Sequence, residues 1–119
     1  MAKRVAKLPE ISERQFTDQV IELARLCGWR VTHFRPARTA KGYVTALQGH
    51  AGFPDICAAK AGRVLFAELK VGKNKLGHEQ AQWLAAIQGG AEAYVWYPRH
   101  WEIIRRIFQE GYKLDGIAD

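Results

Sequence analysis

GFPDICAAKAGRVLFAELKVG, residues 52–72, sets the fold. It reads as two short apolar strands folded back on each other around Ala61 and Gly62, with the period-2 alternation of a β-hairpin. A turn centred on those two residues makes Cys57 face Phe66 and Ala59 face Val64, and one step further Asp55 faces Glu68. Lys70 then lies on the same face two residues along, so three charged groups meet at the open end of the hairpin. Ile56, Ala58, Leu65, Ala67 and Leu69 line the other face. Both faces are apolar, which predicts central strands covered on both sides. A register shifted by one residue, as a bulge at Gly62 would give, separates Asp55 from Glu68.

Working outward, Ser12 and Gln15 form a capping-box pair, and Phe16, Val20, Leu23, Ala24 and Cys27 follow at helical spacing until Gly28. WRVTHFR, residues 29–35, is β-branched and aromatic and stops at Pro36, so it reads as a strand. A long connection runs from Pro36 to Pro54, a length that usually marks a functional or mobile loop. Beyond the hairpin, VGKNKLG is a polar loop. A helix is predicted from His78 to Gln88, with Trp83, Leu84 and Ile87 on its apolar side, ended by Gly89 and Gly90. Ala91 to Tyr97 reads as a strand. Trp101, Ile104, Ile107 and Phe108 mark a last amphipathic helix closed by Gly111. The fold class is α/β, a mixed central β-sheet flanked by helices in the order α-β-β-β-α-β-α. Residues 1–10 form a basic, poorly ordered tail, and residues 11–119 a single domain.

The chain has 119 residues, 18 Lys plus Arg against 12 Asp plus Glu, and a formal net charge of +6, a balance that favours a polyanionic partner. Cys27 and Cys57 lie in apolar patterns without the spacing of a zinc site or a disulfide framework, so both read as reduced core residues. The start MAKRVAKLPE has no apolar signal-peptide core, and no stretch approaches the roughly 18 apolar residues of a membrane span. A soluble, cytoplasmic protein with no membrane partner is expected.

Two carboxylates about 5 Å apart repel, so one takes up a proton, pairs with the lysine or shares a cation. Oxygen ligands suit Mg2+ or Mn2+, and Mg2+ takes one or two protein carboxylates with water and substrate phosphate in its other positions. A lysine beside such a cation can hold a water or offset charge growing on a phosphate, which is the chemistry of phosphodiester hydrolysis. The alternative is a buried ion triad in which Lys70 neutralises Asp55 and Glu68.

GFPD followed, after one hairpin, by ELK resembles the core of the PD-(D/E)XK nuclease superfamily. The longer stretch GFPDICAAKAGRVLFAELKVGKNKLGHEQAQWLAAIQGGAEAYVWYP is similar to the VRR-NUC (virus-type replication-repair nuclease) family, in particular its small stand-alone members encoded by phages. The resemblance implies a restriction-endonuclease-like fold and divalent-metal-dependent cleavage of DNA. It implies Asp55 and Glu68 as metal ligands, the backbone carbonyl of Leu69 as a further ligand, and Lys70 as the catalytic lysine. It also places Glu13 as the acid on the first helix and Gln80 as the glutamine that orients phosphate or water. Glu13 precedes Phe16 by three residues and Val20 by seven, so it shares their stripe, although an acid in a first helical turn is also favoured by the helix dipole alone. Asp18 and Glu22 are the poorer candidates.

Arg35, Arg38, Lys41, Lys73 and Lys75 flank the proposed site and are the candidates for phosphate contacts. His33, His50 and His78 have no metal-ligand spacing, and Trp83, Trp96 and Trp101 fit core packing better than base stacking. The resemblance to stand-alone VRR-NUC members, which are associated with branched DNA, implies a metal-dependent endodeoxyribonuclease selective for branched DNA such as Holliday junctions, hosted in a bacterial cytoplasm if phage-encoded. A homodimer would match the symmetry of a four-way junction, with Tyr94, Trp96, Ile103 and Phe108 as interface candidates that equally suit the core. A catalytically silent nucleic-acid-binding module and an RNA-cleaving endonuclease stay open as alternatives.

Overall fold

The computed structural model describes residues 10–34, 37–39, 42–44 and 47–114, with backbone alone for 37–39 and 42–44. Its first element, α1 (Glu13–Leu26), starts on a capping box: the Ser12 hydroxyl accepts from the Gln15 N–H at 3.1 Å, and the Gln15 side chain accepts from the Ser12 N–H at 2.9 Å. Phe16, Val20 and Ala24, spaced four apart, are fully buried. Cys27 caps the far end, and Gly28 turns the chain away at a φ of 85°.

β1 (Arg30–His33), β4 (Ile56–Lys60), β5 (Arg63–Leu69) and β6 (Glu92–Trp96) form one sheet in the spatial order β1-β4-β5-β6. The first three are antiparallel neighbours, whereas β6 runs parallel to β5 because α2 (His78–Ile87) carries the chain back across the sheet. After a 3-10 turn at Pro98–His100 comes α3 (Trp101–Glu110), closed by Gly111 in the left-handed conformation. This is the mixed sheet flanked by helices that the sequence predicts. The difference lies in the connection from Pro36 to Pro54, which holds β2 (Ala37–Thr39) and β3 (Gly42–Val44), a separate antiparallel pair. Strands of three residues are too short to show a period of two, so the sequence gives no sign of them.

The hairpin register is the one that a two-residue turn dictates. Ile56 pairs with Ala67, Cys57 with Phe66 and Lys60 with Arg63, and Ala61 and Gly62 make the turn at φ values of 50° and 85°. Both signs suit the twist of the flanking strands.

One face of the sheet is sealed. Ile56, Ala58, Leu65, Ala67, Leu69, Tyr94 and Trp96 pack there against Phe16, Val20 and Ala24 of α1 and Ile104, Ile107 and Phe108 of α3. The other face departs from the expected full cover. α2 packs on β6 through a small cluster of Leu84, Ala93, Val95 and Tyr97, leaving Cys57, Ala59 and Phe66 half-buried and Val64 39% exposed. A ten-residue helix laid along an edge strand cannot roof four strands. Of the interface candidates, Tyr94, Trp96 and Phe108 belong to the core and Ile103 packs against it. Among the described residues, no helix is long and apolar enough to cross a membrane.

Candidate active site

The open end of the hairpin is built by backbone. Extending the register by one step from Ile56 and Ala67 sets Asp55 across from Glu68. Asp55 is held on two sides: its Oδ2 accepts from the Leu69 N–H at 2.9 Å, and its carbonyl accepts from the Phe34 N–H at 3.2 Å. Another step sets Pro54, fully buried, across from Leu69. A strand residue's N–H and C=O point to the same side, and proline has no N–H to give, so the ladder offers the Leu69 carbonyl no donor from this position. Gly52 lets the loop press on α2. Its φ is 92°, and a Cβ there would lie 2.6 Å from the Glu79 carbonyl carbon and 2.8 Å from the Gln80 nitrogen.

Glu68 is the centre of the arrangement, with 2% of its surface exposed. Its Oε1 accepts from Gln80 Nε2 at 2.9 Å and lies 3.9 Å from Lys70 Nζ. Its Oε2 is buried with no hydrogen-bond partner. Burial pushes the Glu68 carboxyl up to about 9, helped by the Asp55 carboxyl in hydrogen-bonding contact, by the Asp55 charge and by the more distant Glu13 charge, with Lys70 pulling the other way. Two ionised carboxylates cannot donate to each other, so the contact with Asp55 becomes a hydrogen bond only when a proton is present. Gln80 completes the frame, since its Oε1 accepts from the Gly77 N–H at 2.8 Å and so ties the start of α2 to Glu68.

The remaining predicted residues fall into three groups. Glu13 sits on the exposed first turn of α1, near enough for its charge to act on Glu68 but outside a common cage. Among the described residues, no three His, Cys, Asp or Glu side chains converge as a metal-holding group. Asp18 and Glu22 line a groove on the outer side of α1 with Arg25 and Leu26. Lys73 and Lys75 are exposed on the loop after β5, whereas Arg35, Lys41 and the side chain of Arg38 lie outside the described residues. Trp96 is core, Trp101 packs against the core, and Trp83 is half-buried, donating to the His50 carbonyl at 3.3 Å. Two neighbours of the site were not singled out from the sequence: Phe34 and Phe53, 55% and 38% exposed. Nothing in a linear pattern says that two aromatics 19 positions apart meet, although Phe34 lies within the strand predicted for residues 29–35 and Phe53 two residues before Asp55.

The residues present fit a divalent cation. A buried carboxylate oxygen without a partner, a second carboxylate facing it and a backbone carbonyl that lacks a ladder donor make a set of hard oxygen donors, the kind Mg2+ and Mn2+ select. The chain is thus a mixed α/β fold carrying an acid pair, a lysine and a glutamine at the open end of its central hairpin.

No protein-family model matches the chain. No curated protein matches it. Among solved structures it is similar to Hjc, a Holliday junction resolvase from the archaeal hyperthermophile Archaeoglobus fulgidus, at 26% identity over 74% of this chain and 70% of that one, with a TM-score of 0.48.

Proposed function

We propose that the chain is a divalent-metal-dependent nuclease that hydrolyses phosphodiester bonds in DNA. The observation that carries this reading is the unpartnered, buried Oε2 of Glu68 opposite Asp55, with Lys70 on the same face. In a closed ion triad the lysine would satisfy both acids at hydrogen-bonding distance. Lys70 Nζ instead stands 3.9 Å from Glu68 Oε1, which leaves Oε2 for another cation.

On this reading Asp55, Glu68 and the Leu69 carbonyl hold Mg2+ or Mn2+. When bound, the cation supplies Lewis-acid polarisation of the phosphate and a lowered pKa for a bound water. Asp55 is kept in place by the Leu69 N–H, and Gln80 fixes the carboxylate plane of Glu68. Lys70, 14% exposed, is anchored by a buried neighbour yet reaches solvent, so its ammonium can orient the attacking water or meet charge that develops on the phosphate. Lys73 and Lys75 lie on the adjoining loop, where cations bind backbone phosphates without reading sequence. Among the described residues no separate module is present to read bases, which supports selection by DNA shape, branched DNA such as a four-way junction included. The VRR-NUC resemblance points the same way. The same acid pair can also serve RNA, so an RNA strand belongs in the test.

The experiment is a panel of labelled duplex, single-stranded, flap and four-way-junction DNAs with one RNA strand, incubated with the purified chain in Mg2+, in Mn2+ and in chelator. Cleavage should need the metal and disappear in Asp55→Ala and Glu68→Ala. Lys70→Ala should lose most activity while still binding Mn2+. Retained cleavage by either acid variant would remove the proposed site. Metal-independent binding without cleavage would leave the silent module instead.

A further inference from the structure

The surface beside the acid pair is aromatic. Phe34, one residue past β1, donates its N–H to the Asp55 carbonyl and is 55% exposed. Phe53, two residues before Asp55, is 38% exposed and meets the Phe34 ring edge-on, with centroids 5.5 Å apart at 78°. Its other edges rest on Phe66 at 5.7 Å and on Trp83 of α2 at 5.0 Å. The rings are therefore preset by packing from β5 and α2, and the chain around Phe53 is fixed by the close approach of Gly52 to α2 and by buried Pro54. Single exposed apolar residues need no explanation, but two large rings in contact beside a buried acid pair do.

We propose that Phe34 and Phe53 form a stacking platform for a nucleobase turned out of its helix, next to the phosphate that lies against Asp55, Glu68 and Lys70. This rests on the nuclease reading above. Three features favour a base over a second copy of the chain. The platform is continuous with the acid pair through the Phe34 to Asp55 hydrogen bond, so whatever brings a phosphate there brings a base to the rings. The chain carries a net charge of +6, with Lys73 and Lys75 exposed after β5, which suits a polyanion and opposes self-association. Two part-exposed phenyl rings also fall far short of the roughly 800 Å2 per partner of a stable protein interface. Every base has a π-face, so the platform would not read sequence. It would instead favour strands whose bases are already unstacked, at a branch point or in a single strand, over intact duplex.

The test is binding without divalent metal, followed by fluorescence anisotropy of a labelled single strand, a four-way junction and an intact duplex. Phe34→Ala, at an exposed position, should melt within a few degrees of the parent chain. It should weaken binding to the strand and junction about tenfold, and to the duplex less than twofold. Phe34→Trp should restore binding. An abasic residue walked along the strand should reach a position at which parent chain and Phe34→Ala bind alike, because the stacked partner is gone. Equal affinities of the two proteins for every DNA, an equal loss on duplex, or a loss that no abasic position cancels would overturn the proposal. So would light scattering that shows the parent as a dimer and Phe34→Ala as a monomer. Because no metal is needed, a parent chain that binds in this pattern yet cuts nothing in Mg2+ or Mn2+ would retire the nuclease reading and leave the platform standing.

Discussion

Gln80 donates to Glu68 Oε1 at 2.9 Å while accepting from the Gly77 N–H at 2.8 Å, so one amide side chain both caps α2 and aims the buried carboxylate. Residues that orient a metal ligand are worth about 10- to 100-fold in metal affinity or activity. Gln80→Ala should lower Mn2+ affinity, read by calorimetry, or the cleavage rate by that order. Stability should fall by about 1 kcal/mol, the cost of a lost cap. An unchanged rate and affinity would reduce Gln80 to a helix cap.

Glu68 ties pH to stability in the metal-free chain. Burial and the facing Asp55 raise its folded-state value to about 9 from an ordinary 4.5, so the proton is bound more tightly in the folded state. The stabilisation is complete below 4.5 and is lost as pH rises through about 9. Melting temperature in chelator should therefore fall between pH 5 and pH 9, and Glu68→Gln should flatten that slope. Mg2+ should restore stability most at high pH and release a proton on binding. A wild-type slope no steeper than that of Glu68→Gln would contradict the assignment.

How far the sequence carries the site depends on which contacts are local. Asp55 opposite Glu68 follows from the turn at Ala61 and Gly62, because a two-residue turn fixes every pair above it. The burial of Ile56, Ala58, Leu65, Ala67 and Leu69 follows from the same alternation. The alternation is silent on the second face: Cys57, Ala59, Phe66 and Val64 are as apolar as a covered strand, yet α2 packs its apolar side on β6 and meets β5 through Gln80 on Glu68, leaving those four partly open. Glu13 shows a related limit. It shares the heptad-like stripe of Phe16 and Val20, which are fully buried, but a stripe does not say where the sheet beneath it ends, and Glu13 is exposed. The approach of Gly52 to α2 and the meeting of Phe34 with Phe53 are contacts between distant segments, and no spacing rule encodes them.

Far from the site, Arg63 fastens α3 to the sheet. It holds Glu92 through Nε at 3.0 Å and a second nitrogen at 2.7 Å, and it donates to the carbonyls of Gly111 and Tyr112. Burial alone would raise the Glu92 carboxyl, but the hydrogen bonds from Arg63 and Tyr94 outweigh it and hold it below the usual range. A depressed acid stabilises above its ordinary value of 4.5, and that contribution is lost as pH falls below it. Arg63→Ala should cost about 3 kcal/mol at pH 7 and lose less on acidification than the parent. Arg63→Lys should not rescue it, because an ammonium cannot make the paired contact. Chemical denaturation at pH 7 and pH 4 measures both.

Ala61 is the one described non-glycine residue with positive φ, at 50°. Asparagine tolerates that region better than alanine, and Asn-Gly is the preferred pair for this turn. Ala61→Asn should add about 0.5–1 kcal/mol and raise the melting temperature by a few degrees, with cleavage unchanged. A drop in melting temperature would count against the turn as described.

Gly52 couples the fold to the site most directly, because its α-carbon touches the first turn of α2 on one side and positions Phe53 and Asp55 on the other. Alanine there is strained twice: φ is 92°, and the added Cβ would lie 2.6 Å from the Glu79 carbonyl carbon, a backbone atom that cannot swing away. Such a position costs about 1–3 kcal/mol from the backbone alone. Relief requires either the loop or the start of α2 to move, and α2 carries the Gln80 that holds Glu68. Gly52→Ala should thus lower both stability and metal affinity, whereas Gly62→Ala, with nothing within 4 Å of its Cβ, should lower stability alone. Paired melts and Mn2+ titrations of the two variants separate backbone strain from damage to the site. Equal metal affinities would show that α2 holds its place without Gly52.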